Sequence, residues 1–363
     1  MINILIPLAG KNTFETNSNN MFPKILSDVG GELLIERACK PFINLHFPKK
    51  LVVAVPKNEA DKYKLNSVIP LLADEVELCC INGDTQGAAC SALLAIEHLD
   101  LNSPLIISSF EQVLDFDLNC YIEYFQQENV DAGVLTFEAI HPKWSYARVD
   151  SDNNITQTAE KQPISKNAIA GFYYFKSANL FIESAKEMIR KDVKTNNLFY
   201  IAPVINEIIL NGGLVKSQPI DNSRYFHIND EHALSSYEEK VMDEKKNRTG
   251  AIKSQTIDYI KFFNNCDIGG IATLLSNDFS LSDPVVNING KDDAIEYIVN
   301  IFDSHKNIKF KSLSVMVSNE YESIIEFELI LGNNHFRGVD LISWDKSNKM
   351  ISMRAYLYEA DHG

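Results

Sequence analysis

Short apolar segments recur along the first two-thirds of the chain and alternate with segments of helical character. Residues 87–99 form one of the helical segments, and it begins with small side chains. The apolar segments are residues 2–8, 51–55, 76–81, 104–108 and 132–137. Strands separated by helices predict an α/β fold with a doubly wound mixed sheet, mostly parallel, whose ligands bind beyond the carboxyl ends of the strands.

A polar, charged stretch at residues 238–250 separates this pattern from a different one. Beyond it, helical segments precede four long segments of alternating character, which is an α+β pattern. These segments are residues 309–317, 322–331, 336–344 and 350–358. We therefore expect an α/β domain over residues 1–237, a linker over 238–250 and an α+β domain over 251–363.

Composition and charge exclude several classes of protein. A chain of 363 residues has room for two cores. A net charge of −15 opposes binding to the phosphate backbone of nucleic acids. No apolar run reaches the roughly 18 residues that a membrane span needs, and the first residues lack a secretory signal pattern. The six cysteines have no CxxC spacing, which predicts reduced, mostly buried thiols in a cytoplasmic protein.

The first apolar segment leads into a loop of small residues, which is a candidate phosphate-binding site. Backbone N–H groups in such a loop can face a phosphate. Farther along, Lys24 follows the rigid Pro23 and supplies a fixed positive charge. The candidate binding residues of the loop itself are Leu8, Ala9, Gly10, Lys11 and Thr13.

This layout resembles the sugar-phosphate nucleotidylyltransferases, which have a GT-A-like fold and the signature strand, L-A-x-G-x-G-[ST]-R, then P-K. Gly10 and Thr13 match the loop, and Lys24 matches the P-K pair. Asn12 replaces the second glycine and Phe14 replaces the arginine, so the signature is degenerate. The resemblance implies that Lys24 grips a triphosphate without the donor fork that arginine would add. The opening P-L-A-G and the later F-Y-I-A-P look most like capsule-type members.

A second stretch, residues 83–89, resembles the family loop T-x-G-x-A that cradles the base and ribose. The resemblance implies that Thr85, Gly87 and Ala88 bind the nucleotide. A helix N-terminus capped by Thr85 or Asp84 is the simpler alternative.

Two strand ends resemble the segments that supply metal ligands in this family. Glu111 stands where the family has an aspartate, and Asn229, with Asp230 as the adjacent alternative, stands at the second position. The resemblance implies Mg²⁺, which prefers carboxylate and phosphate oxygens. The alternatives are a solvated loop glutamate and a cap for a helix that starts at Glu231.

The pair Glu160-Lys161 stands where the family contacts the acceptor phosphate, so the resemblance implies that Lys161 binds the acceptor. Trp144 and Tyr146 lie in the same region and are more simply explained as strand-packing aromatics.

The resemblance implies transfer of a nucleotidyl group from a nucleoside triphosphate, with CTP as first guess, to a small phosphorylated acceptor. Such a reaction releases pyrophosphate and needs positioned charge rather than a protein nucleophile. The resemblance to capsule-type members implies a sugar phosphate as the acceptor and surface polysaccharide biosynthesis as the purpose of the reaction. Two alternatives remain: a degenerate protein that binds a nucleotide or nucleotide sugar without turnover, and an isomerase or hydrolase activity in the second domain.

The second domain resembles a SnoaL-like, nuclear-transport-factor-like cone domain. The resemblance rests on the Asp283-Pro284 pair after Phe279, the helix after Gly290 and the final two strands. Asp283, Asp340 and Arg354 are expected to face inward, and Asp340 and Arg354 to pair. Such a pair either activates water or braces the sheet as a buried ion pair. Because cone domains often associate through their sheets, we expect a homodimer.

Overall fold

The computed structural model describes residues 1–8, 13, 14 and 22–360. It divides the chain into two compact units, Met1–Glu238 and Glu239–Gly363. No helix in the described ranges is long and apolar enough to cross a membrane.

The first unit is built on a nine-stranded mixed sheet in the order β10-β9-β11-β6-β1-β4-β5, with β8 beside β11 and β12 beside β8. Two small antiparallel pairs, β2 with β3 and β7 with β13, lie outside it. The strands are β1 Ile2–Pro7, β2 Asp28–Val29, β3 Glu32–Leu33, β4 Lys49–Pro56, β5 Val76–Ile81, β6 Leu105–Ser108, β7 Gln112–Leu114, β8 Ala132–Glu138, β9 Ser145–Val149, β10 Ile155–Glu160, β11 Asn167–Phe175, β12 Val215–Pro219 and β13 Tyr225–His227.

Helices cover both faces of this sheet. The α-helices are α1 Leu34–Ile43, α2 Lys57–Lys62, α3 Leu65–Val68, α4 Ala88–Leu93, α5 Asn119–Gln127, α6 Ala178–Arg190 and α7 Ala202–Leu210. The 3-10 helices are Lys24–Leu26, Ile69–Leu71, Ile96–His98 and Asn222–Arg224. Because side chains alternate along a strand, Ile4 and Ile6 of β1 pack in one core with α1 and α5, while Leu5 packs in the other with α4, α6 and α7.

The predicted α/β fold with a mixed sheet is confirmed, although fewer strands are parallel than expected. Strands β6, β1, β4 and β5 run parallel to one another. Strand β11 is antiparallel to β6, β8 and β9. Strands β9 and β10 are also antiparallel, because the tight turn at residues 150–154 that joins them can only connect antiparallel strands.

The second unit combines helices with a six-stranded sheet in the order β15-β14-β19-β18-β17-β16. Only β14 and β19 pair in parallel among the described strands of this sheet. The elements are α8 Glu231–Asn264, whose residues 231–238 belong to the first unit, α9 Ile268–Leu274, β14 Leu275–Ser282, β15 Asn287–Asn289, α10 Lys291–Ser304, β16 Ile308–Asn319, β17 Glu322–Leu331, β18 Asn334–Trp344 and β19 Met350–Glu359.

The segment predicted as a linker, 238–250, lies inside helix α8. Its charged residues are good helix formers, and contacts within the second unit hold them. Lys245 pairs with Glu320 at 2.5 Å. The guanidinium of Arg248 donates to the backbone carbonyls of Glu320, Asp345 and Lys346. The polar segment is therefore helical throughout residues 238–250.

The cysteines are less buried than the sequence predicted. Cys39 and Cys79 are buried, but Cys80, Cys120 and Cys266 are exposed.

Candidate functional site

Two adjoining cavities lie at the carboxyl ends of β1 and β6 in the first unit. The larger, about 790 Å³, is called the loop cavity because the loops after β5 and β6 line it. The smaller, about 230 Å³, is called the aromatic cavity because Trp144, Tyr173, Tyr200 and Tyr225 line it. Residues common to both linings are Pro7, Ala88, Ser109 and Tyr200. The position matches the expected binding edge of an α/β sheet.

Five residues predicted from the sequence come together in the loop cavity, although they lie far apart in the chain. They are Thr13, Thr85, Gly87, Ala88 and Glu111. Exposed residues of the turn at 196–197 also line this cavity, and no sequence motif predicted them.

Of the other predicted loop residues, Leu8 lies within the described ranges and does not line this cavity. The side chain of Leu8 is fully buried in the core, and its N–H donates to the carbonyl of Ala54 at 2.7 Å. Ala9, Gly10 and Lys11 fall outside the described residues.

The loop after β5 is held by contacts between backbones. Gly87 has φ +114°, and a Cβ built there would lie 2.4 Å from the carbonyl oxygen of Phe199. The N–H of Ala89 donates to that same carbonyl at 3.1 Å, and the N–H of Phe199 donates to Gln86 at 2.8 Å. Close approach of two backbones explains why glycine is needed here.

Thr85 does not cap α4, which was the simpler interpretation of this motif. Helix α4 has no side-chain hydrogen bond at its N-cap. The hydroxyl of Thr85 lies 2.7 Å from that of Ser91, one helical turn into α4, and both residues line the loop cavity.

Lys24 and Glu111, predicted as the cation and a metal ligand, form an ion pair. Lys24 Nζ lies 3.7 Å from Glu111 Oε1, and the lysine side chain is only 11% exposed. Burial raises the pKa of Glu111, and the charge of Lys24 works against that rise. Glu111 is therefore a partly buried, paired carboxylate rather than the solvated loop residue of the alternative interpretation.

The pairing of β7 with β13 brings the second predicted metal position to Glu111. The N–H of Ile228 donates to the Glu111 carbonyl at 2.8 Å, so Asn229 and Asp230 follow directly. Asp230 Oδ1 accepts from the N–H of Ala233 at 2.8 Å and caps α8, which was the alternative role for this residue. The same backbone donor lowers the pKa of Asp230.

These oxygen donors fit Mg²⁺ chemically. Within the described ranges, no three His, Cys, Asp or Glu side chains group as a metal cage. Mg²⁺ is usually held by one or two protein carboxylates together with phosphates and water. Glu111, with Asp230 or the amide oxygen of Asn229, meets that requirement.

The floor of the aromatic cavity is organised by Gln112, which the sequence analysis did not single out. Its side chain is buried, and Nε2 donates to Ser108 Oγ at 3.0 Å and to the Gly171 carbonyl at 2.9 Å. The Tyr225 hydroxyl lies 3.4 Å from its Oε1. Gly171 has φ +56°, and a Cβ there would lie 2.3 Å from Gln112 Oε1. One amide thus ties four strands together.

Of the Glu160-Lys161 pair singled out in the sequence, only Glu160 lines the aromatic cavity. Lys161 does not line it; its Nζ donates to the Tyr200 hydroxyl at 2.9 Å from an exposed position. Lys143 lines it instead, together with Glu160, whose pKa is raised by burial. A lone lysine in a loop carries no sequence signal that would have found it.

His227 also lines the aromatic cavity and is uncharged at neutral pH. Burial first, and then the charge of Lys143, lower its pKa to about 4. Its ring packs edge-on against Trp144 with centroids 4.4 Å apart. Trp144 therefore forms part of the cavity wall, whereas Tyr146 is fully buried, as expected of a strand-packing aromatic.

Phe14, which replaces the arginine of the signature, points into the core. It is 8% exposed, and its ring stacks on that of Tyr63 with centroids 6.1 Å apart. This position therefore contributes to packing rather than to the cavity surface.

No protein-family model matches the sequence, and no curated protein matches it. Solved structures do match the fold. One is the nucleoside-diphosphate-sugar pyrophosphorylase of Vibrio cholerae, with TM-score 0.59 and 19% identity, covering 65% of this chain and 99% of that chain. A Bacillus anthracis protein in complex with sucrose, provisionally assigned as a glucose-1-phosphate thymidylyltransferase, has TM-score 0.54 and 17% identity, covering 67% and 96%. UDP-glucose pyrophosphorylase in complex with UDP-glucose has TM-score 0.54 and 15% identity, covering 68% and 100%.

The matched share of the chain is close to the share that Met1–Glu238 occupy. At sequence identities of 15–19%, the similarity to these structures is a similarity of fold. The first unit has the mixed α/β fold that nucleotide-sugar pyrophosphorylases use.

Proposed function

We propose that the first unit transfers a nucleotidyl group from a nucleoside triphosphate to a small phosphorylated acceptor and releases pyrophosphate. The observation that carries the proposal is the pair of adjoining cavities at the carboxyl ends of β1 and β6, with Glu111, the ion-pair partner of Lys24, at the wall of the larger. The larger cavity has room and small residues for a nucleotide, and the smaller has aromatic faces for a sugar ring. The shared fold is consistent with this assignment.

The proposed chemistry is an in-line displacement. An oxygen of the acceptor phosphate forms a bond to the α-phosphorus, while the bond from that phosphorus to the bridging oxygen breaks and pyrophosphate leaves with the electron pair. Lys24 would stabilise the charge that builds on the phosphates, and Lys143, with Lys161 beyond Tyr200, would attract the acceptor phosphate. Mg²⁺ held by Glu111 and Asn229 or Asp230 would neutralise further phosphate charge when bound.

The finer assignments rest on the sequence resemblance alone. They are CTP as the nucleotide, a sugar phosphate as the acceptor and surface polysaccharide biosynthesis as the purpose. The SnoaL-like character of the second unit and a homodimer also stay predictions. Light scattering on the purified chain tests the dimer, and a monomer mass would remove it.

A second candidate function is nucleotide or nucleotide-sugar binding without turnover. Phe14 is buried where the family signature has an arginine, and Glu111 already pairs with Lys24 at 3.7 Å. An incoming phosphate would have to compete with Glu111 for that charge. Both features would weaken triphosphate binding relative to a site that has the complete signature.

The test combines each nucleoside triphosphate with Mg²⁺ and a panel of sugar phosphates, and measures pyrophosphate release. With the productive pair, Lys24→Met should lower the rate about 100-fold, as for loss of one charge-stabilising donor. Lys57→Met, an exposed lysine at the start of α2, is the control and should leave the rate unchanged.

The outcomes separate the two functions. Pyrophosphate release that depends on Lys24 supports transfer. A thermal shift by a nucleotide that Lys24→Met removes, without release for any pair, supports binding alone. If no nucleotide gives pyrophosphate release or a thermal shift, both proposed functions are wrong.

A further inference from the structure

The second unit contains a cavity of its own, about 300 Å³ in volume, between its sheet and helices α8 and α10. Five phenylalanines contribute to its wall, together with aliphatic side chains from β14, β17 and β19. The phenylalanines are Phe263, Phe279, Phe310, Phe327 and Phe336. Its volume suits a small organic molecule.

The carboxyl groups in this cavity have no basic partner in its described lining. Asp283, Asp340 and Glu359 line it, whereas no Lys, Arg or His is found among its described lining residues. Acids without a basic partner in an apolar wall disfavour an anionic ligand because like charges repel.

Asp283 is already fixed by the protein. Its Oδ1 accepts from the N–H groups of Val285 and Val286, both at 2.7 Å. Its Oδ2 accepts from the Tyr297 hydroxyl at 2.9 Å.

Asp340 is different, because it is 3% exposed and its side chain has no hydrogen-bond partner within the described ranges. The expected pair with Arg354 is not formed. Asp340 of β18 stands opposite Ala355 of β19, and Arg354 stands opposite Leu341, so the arginine lies on the other face of the sheet. A buried carboxyl group facing a cavity without a partner is costly.

Burial, followed by the charge of Asp283, raises the pKa of Asp340 to about 8. The Asp340 carboxyl group is therefore mostly protonated at neutral pH. A positively charged ligand would supply the missing partner.

We propose that this cavity binds an organic cation, an amine on an apolar body, with Asp340 as the partner of the ammonium group. The phenylalanine rings accommodate the apolar body and attract the cation through their faces. The acids at the wall reject carboxylates and phosphates. This site is independent of the nucleotidyl-transfer proposal, because all of its residues belong to the second unit.

The test uses three probes of one shape and different charge: 4-phenylbutylamine, 4-phenylbutan-1-ol and 4-phenylbutanoate. Calorimetric titration into the full chain at pH 7 should show the amine binding at least about tenfold tighter than the alcohol, equivalent to about 1.4 kcal/mol. The carboxylate should bind most weakly. Asp340→Asn should lower amine affinity at least about tenfold and leave alcohol affinity within about threefold.

Glu326→Gln is the matched control, because Glu326 is an exposed acid on β17 next to cavity-lining Phe327. It should leave all three affinities unchanged. Equal binding of alcohol and amine, or no binding of any probe, would overturn the proposal. If Asp340→Asn fails to fold, the ranking of the three probes on the unaltered chain decides the question.

Discussion

Gln112 shows how a single buried amide can hold the floor of a site. It bonds Ser108 and Gly171 and lies beside Tyr225, so its loss leaves buried polar groups on separate strands without partners. We expect Gln112→Leu to lower the free energy of unfolding of the first unit by about 1–3 kcal/mol. Urea denaturation measures this change. Gln126→Leu, at an exposed site on α5, is the control, and equal effects of the two substitutions would contradict this role.

Asp340 links stability of the second unit to pH. Its pKa is raised from 3.8 to about 8 by burial and by Asp283. Between these values the folded state holds a proton that the unfolded chain releases. The contribution of Asp340 to the free energy of unfolding is therefore complete below about pH 4 and decreases as the pH rises toward about 8. Above that range it levels off. Asp340→Asn should remove this slope and raise stability at pH 9 by about 1–3 kcal/mol.

Other titratable groups line the same cavity and set the background for that measurement. They are Asp283, Glu359, Tyr259, Tyr297 and Tyr358. Urea denaturation from pH 5 to pH 9 checks the prediction. An unchanged slope in Asp340→Asn would assign the pH dependence to these groups instead.

At the scale of secondary-structure elements, backbone contacts join the loop after β5 to the chain at Phe199. Gly87→Ala would place a methyl group 2.4 Å from the Phe199 carbonyl oxygen, in a backbone that cannot yield without losing its hydrogen bonds. We expect Gly87→Ala to lower the free energy of unfolding by more than about 2 kcal/mol, because of overpacking and the unfavourable φ. Urea denaturation measures it.

Gly83→Ala is the matched control for that substitution. Gly83 lies in the same loop with φ +77°, and a Cβ there meets nothing within 4 Å. Gly83→Ala should lower the free energy of unfolding only by the cost of the positive φ, about 1 kcal/mol. If both substitutions cost the same, the backbone junction is not what requires glycine at position 87.

Elements with local signals were predictable from the sequence, and pairings between distant segments were not. The apolar segments at 2–8 and 104–108 became β1 and β6, because a buried strand is a local property. The pairing of β7 with β13, which brings Asn229 to Glu111, joins segments more than 100 residues apart. The signature predicted the position of Glu111 and could not reveal its pairing with Lys24. The segment proposed as a linker is part of helix α8, and its polar composition alone does not distinguish an exposed helix from an irregular linker.

At the scale of the whole molecule, the two units have separate cores. The cores of the first unit draw on residues up to Ile220, on the two faces of its sheet. The core of the second draws on residues from Ile252 to Met353. Units that bury different apolar residues can unfold as separate cooperative transitions.

We therefore expect scanning calorimetry of the full chain to show two transitions. Gln112→Leu should lower the midpoint of only one transition, and Asp340→Asn at pH 9 should raise only the other. A nucleoside triphosphate with Mg²⁺ should stabilise the first, and 4-phenylbutylamine the second, each by about 2.7 kcal/mol at a hundredfold excess over its dissociation constant. A single transition that responds to both substitutions would mean that the cores, although built from different residues, unfold together.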